Sequence, residues 1–90
     1  MLTVTTAVKF RRDLRTCAKR RYNMALLSAV INTLRIPEPL PRQNKDHGLT
    51  GQYAGHRECH ILPDWLLLYR VDGDELYLAR TGTHADLFGT

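Results

Sequence analysis

The hydrophobic pattern changes period partway along the chain. Leu2–Thr6 is short and rich in β-branched residues and reads as a strand, with Thr5 or Thr6 placed to cap the helix that follows. From Ala7 to about Tyr22 the period is helical: Phe10, Leu14, Cys17 and Ala18 share one face, and Arg11, Arg15 and Lys19 share another. Asn23 is an N-cap for a second helix, Met24 to about Arg35. Its apolar stripe is Met24, Leu27, Ile31 and Leu34, widened by Leu26 and Val30. The short link predicts an antiparallel helical hairpin. Pro37, Pro39 and Pro41 then impose an extended connector.

After the glycines at 48, 51 and 55 the period becomes two. A strand is predicted from His56 to Leu62, followed by a Pro63-Asp64 turn. Trp65–Val71 is apolar on both faces, which marks a central strand covered on both sides. Asp72-Gly73 signals a hairpin into a third strand, Glu75–Thr81. Gly82–Thr90 reads as a turn and a short apolar anchor, Leu87-Phe88. The predicted class is α+β: a helical hairpin packed on a twisted, mostly antiparallel sheet, in a single domain spanning residues 1–90.

Net charge is +4, and seven of the thirteen basic residues fall between Lys9 and Arg21. The bias favours a polyanionic partner, either RNA or an acidic protein surface, although a solvated helix face accounts for the same pattern. No apolar run approaches the ~20 residues needed to cross a bilayer, and no secretory leader is recognisable. A cytoplasmic protein with no membrane association is therefore expected. Cys17 and Cys59 are isolated, consistent with reduced thiols and neither a metal motif nor a disulfide framework.

Hairpin arithmetic brings distant reactive side chains together. A two-residue loop at Pro63-Asp64 places Leu62 opposite Trp65 and His60 opposite Leu67, and the second hairpin places Arg80 opposite Trp65 or Leu67. His84 then extends past the same sheet end, beside Asp64. Metal-free RNA cleavage needs a base for the 2′-hydroxyl, an acid for the leaving 5′-oxygen and a cation for the phosphorane. Histidine suits the first two and arginine the third. Asp64 is placed to orient an imidazole, or to donate a proton if its pKa is raised. The bland alternatives are a structural strand His60, a solvated His84, a turn-forming Asp64, and an Arg80 paired with Asp64 or Glu75. Trp65 reads as core more than as a stacking platform.

The segments Asp46-His-Gly-Leu-Thr-Gly51, Arg57-Glu-Cys-His60, Pro63-Asp-Trp-Leu-Leu-Leu-Tyr69 and Arg80-Thr-Gly-Thr-His-Ala-Asp-Leu-Phe88 resemble the YafQ branch of the RelE toxin family. These are ribosome-dependent mRNA interferases of type II toxin–antitoxin modules. The resemblance implies a microbial-RNase-like fold and cleavage of mRNA in the ribosomal A site, leaving a 2′,3′-cyclic phosphate and a 5′-hydroxyl. It implies catalysis by His47, His60, Asp64 and His84, a phosphate contact by Arg80, and a message contact by Phe88; nearby Lys45 is read as a further cation helping Arg80 stabilise the phosphorane. No metal or other cofactor is expected; the partners are mRNA, the ribosome and a cognate antitoxin, expected to be dimeric.

Two other functions fit the same residues. A non-catalytic basic module would bind rRNA or an antitoxin and block translation without cutting. A metal hydrolase would bind zinc through His47, His60 and His84, but these lack the local pairing of common zinc motifs.

Overall fold

Alternation along one central strand assigns the two faces of the sheet. In the computed structural model, which describes residues 1–89, this strand is β4 (Trp65–Asp72). It lies within a five-stranded sheet formed with β1 (Thr3–Thr6), β2 (His47–Gly48), β3 (Arg57–Leu62) and β5 (Glu75–Gly82). The order is β1-β5-β4-β3-β2, antiparallel except for the parallel β1–β5 pair. Trp65, Leu67 and Tyr69 join Phe10 and Cys17 of α1 (Val8–Lys19) and Leu27, Val30 and Leu34 of α2 (Met24–Arg35) in one core. Leu66 and Leu68 face the other way, against Ala79 and Leu87. β4 is thus buried on both sides, as its unbroken apolar run predicts. Trp65 is core: its indole N–H donates to Thr81 Oγ1 at 2.9 Å, and the Thr81 hydroxyl donates to the Leu66 carbonyl at 2.7 Å. These bonds satisfy polar groups that burial would otherwise leave unpaired.

Asn23 caps α2 as expected, accepting from the Ala25 N–H. At α1 the expectation fails. Ala7 is the N-cap without a side-chain bond, because Thr5 donates to Glu75 and Thr6 accepts from Arg11. The helix ends at Lys19 rather than Tyr22, since Arg21 adopts a left-handed conformation, φ 62°.

Two bulges correct the expected register. Shifts between His60 and Leu62, and between Leu68 and Tyr69, place His60 opposite Leu66 and Arg80 opposite Leu68. Residues directly opposite share a face and a one-residue slip reverses it, so both side chains move from the face packed on α1 and α2 to the opposite face.

The tail is also corrected. His84–Phe88 is a short helix, α3, with a capping box in which Thr83 and Asp86 exchange side-chain and backbone bonds. Thr90, included in the expected tail, lies outside the described residues. Arg20, just beyond α1, grips Asp86 in a bidentate pair at 2.6 and 3.0 Å. Gly82 is required by this packing, since a Cβ there would lie 2.8 Å from Asp86 Oδ2.

The bonds from Arg20, and then those from Thr83, hold the Asp86 carboxyl well below its ordinary value of 3.8. A depressed folded-state pKa stabilises the protein fully above the unfolded value, and the contribution is lost as pH falls toward the folded value. Unfolding free energy measured by denaturant titration is therefore expected to drop more steeply below pH 4 in the wild type than in Asp86→Asn. Parallel curves would contradict this linkage.

Candidate active site

The β3–β4 turn and the start of α3 meet at one carboxylate oxygen. Asp64 Oδ1 accepts from the His84 backbone N–H at 2.9 Å and lies 2.6 Å from His84 Nδ1. The backbone bond, then the ring bond, hold the Asp64 carboxyl below its ordinary value of 3.8. Asp64 is therefore a carboxylate that orients an imidazole, and the raised pKa needed for a proton donor is absent. With Nδ1 facing a carboxylate, that nitrogen carries the proton and Nε2 is left to act on a ligand.

The second imidazole is held differently. His60 Nδ1 lies 3.2 Å from the Pro63 carbonyl, and its Nε2 lies 3.1 Å from Glu58 Oε1. Both ring nitrogens thus face acceptor oxygens, so either the ring carries two protons or Glu58 carries one of them. The Glu58 side chain is 8% exposed. A carboxylate so removed from water requires such a partner. His47 approaches the same carboxylate from β2, with Nε2 at 3.8 Å, while its Nδ1 lies 2.7 Å from the Lys45 carbonyl. The His60 and His84 rings are 5.7 Å apart between centroids.

Arg80 is not paired with Asp64 or Glu75. Asp13 of α1 accepts from Arg80 Nε at 2.7 Å and Nη2 at 3.1 Å, and from the Thr81 N–H at 3.1 Å. That last bond caps β5 where β1 no longer covers it. Arg80 Nη1 approaches the Tyr53 hydroxyl at 3.4 Å, and the Tyr53 ring takes the Phe88 ring edge-on at 5.9 Å. Phe88 is 40% exposed. Arg80 and Phe88 are therefore gathered around Tyr53, on the same face as the imidazoles. Glu58, Leu68 and Arg80 form one row across β3, β4 and β5, so the Glu58 and Arg80 backbones are roughly 10 Å apart. Lys45 lines a cavity of about 310 Å³ whose wall includes His60.

The sequence reading missed Glu58 and Asp13. Both left signals: Glu58 stands two residues from His60 in a strand and so shares its face, and Asp13 is the lone acid among the cations from Lys9 to Arg21. The metal set also changes. Glu58, His60 and His84 offer ligand atoms within 4.8 Å of one another; His47 is not in that group. Both cysteines are buried and unpaired, and burial pushes the Cys59 thiol up to about 12. It is not poised as a nucleophile.

A family described as the bacterial toxin of the type II toxin–antitoxin system, YafQ, matches residues 2–89. The mRNA interferase toxin YafQ of Escherichia coli K12 is 48% identical over 71 residues, covering 79% of this chain and 71% of that protein. In the E. coli DinJ-YafQ complex, one chain matches with a TM-score of 0.90 at 36% identity, covering 99% of this chain and all of that one. A copper-bound mutant toxin from Helicobacter pylori matches with a TM-score of 0.93 at 42% identity, over 98% of this chain and all of that one. No described helix is long and apolar enough to cross a membrane. The chain belongs to the YafQ family of bacterial type II toxin–antitoxin toxins.

Proposed function

We propose that this toxin is an mRNA interferase that cleaves message in the ribosomal A site by acid–base transesterification, through two proton stations. One is His84 Nε2, with Asp64 fixing the ring. The other is the Glu58–His60 pair. One station takes the proton of the 2′-hydroxyl as it attacks phosphorus; the other gives a proton to the departing 5′-oxygen. The products are a 2′,3′-cyclic phosphate and a 5′-hydroxyl, and the 2′-hydroxyl requirement restricts the reaction to RNA. The observation that carries the reading is the His60–His84 pair, 5.7 Å between rings, each imidazole with its own carboxylate. His47 adds positive charge beside Glu58 when protonated. Arg80 and Lys45 stabilise charge on the phosphate, and Phe88 packs against the message. The exposed Arg12 and Arg15 on α1 suit a ribosomal RNA surface. A cognate antitoxin binds this toxin, as DinJ binds YafQ in the E. coli complex.

The experiment is cleavage-end mapping on ribosomes carrying a translated message. Wild type is expected to produce new ends within A-site codons. His84→Ala is expected to cut at least ~100-fold more slowly with unchanged folding, because the side chain is half-exposed. Stalled ribosomes without new ends would favour the non-catalytic binder instead. Glu58→Gln keeps an acceptor for His60 but not the charge, and is expected to slow cleavage at least ~10-fold. Unchanged rates in both variants would contradict the two-station mechanism.

The copper-bound H. pylori relative gives the metal reading a specific test. A Cu²⁺ ion on Glu58, His60 and His84 would occupy the groups that must move protons. Added Cu²⁺ is expected to inhibit, and a copper-selective chelator to restore full cleavage. Stimulation by the metal, with loss of activity on chelation, would support metal-assisted hydrolysis.

A further inference from the structure

A second cavity of about 330 Å³ opens on the far side of Tyr53 and Arg80 from the imidazoles, bounded by Lys9, His56, Arg70 and Tyr77. Its charge is not balanced. Arg80 is held by Asp13, but among the described residues Lys9 and Arg70 pair with no carboxylate. Of the nearby acids, Asp13 is taken by Arg80 and Thr81, and Glu75 accepts from Thr5. The Arg70 guanidinium lies over the Tyr77 ring, 4.5 Å from its centroid, which pairs a cation with an aromatic face at the cavity. His56, on the cavity wall, packs edge-on against the Tyr53 ring at 5.9 Å. Two cations without a carboxylate partner, beside aromatic rings, match two needs of a nucleotide: phosphate and base face.

We infer that this cavity is a second nucleotide subsite, which binds the RNA strand next to the scissile phosphate. The inference rests on the nuclease reading and extends it. The strand runs from the imidazoles past Tyr53, with Lys9 and Arg70 taking the neighbouring phosphate and the aromatic rings taking the base. Because these groups do not touch the reacting bonds, they contribute to binding equally in the ground and transition states.

The test uses a 2′-O-methyl RNA hexamer, which lacks the attacking hydroxyl, titrated against the toxin at several salt concentrations, together with cleavage kinetics on programmed ribosomes. Arg70→Ala and Lys9→Ala are each expected to weaken hexamer binding about five- to tenfold. Each should also reduce the salt slope by about 0.7. In cleavage, KM is expected to rise while kcat stays within about twofold, as loss of uniform binding requires. Lys19→Ala, roughly 15 Å along α1 from Lys9, should leave hexamer binding unchanged. Hexamer affinity, slope and KM all equal to wild type in both variants would overturn the inference, as would a loss confined to antitoxin affinity. If the wild type binds the hexamer at this site but cuts no message, the nuclease reading fails and the subsite stands.

Discussion

One carboxylate oxygen holds the chemistry to the fold. Asp64 Oδ1 receives both the backbone N–H and the ring of His84, joining the β3–β4 turn to the first residue of α3. Without those two hydrogen bonds His84 would be a surface histidine on a five-residue helix, free to rotate. The helix is too short to be stable alone. Its place comes from the Thr83–Asp86 capping box, the Arg20 clamp and the burial of Leu87. The basic helix α1 therefore acts on the site at two points: Asp13, midway along it, fixes Arg80, and Arg20, just beyond its last turn, fixes the helix that carries His84.

The sheet separates stability from reactivity. Its helix-covered side holds the larger core, with Trp65, Leu67 and Tyr69 of β4 fully removed from water. The opposite side carries Leu66 and Leu68 in a smaller core closed by Ala79 and Leu87, and the ionisable groups stand around it. Glu58 on that side is the costly element, since a nearly buried carboxylate loses most of its hydration. His60 offsets this at 3.1 Å. The same contact brings a carboxylate and an imidazole together beside the His84 ring.

Helices α1 and α2, the three long antiparallel strands and the burial of Trp65 were legible in the sequence, because each rests on periodicity over six or more residues or on an unbroken apolar run. The bulges were not. A bulge is one extra residue with no sequence mark of its own, yet it decides that His60 and Arg80 share the face opposite α1 and α2. α3 was hidden by its length, although Thr83-x-x-Asp86 is a capping signal. The Asp64–His84 pairing was anticipated from topology, whereas the Arg80 partner was not. Asp13 lies sixty-seven residues away from it in sequence, and only the passage of α1 along the free edge of β5 brings them together.

The most direct measurement of the central claim is ¹⁵N NMR of the His84 ring in the free toxin, at a pH where the imidazole is neutral. An Asp64 carboxylate on Nδ1 predicts a protonated Nδ1 and a bare Nε2. A neutral ring with its proton on Nε2, or rapid exchange between the two forms, would mean that Asp64 does not hold His84 in a proton-accepting pose.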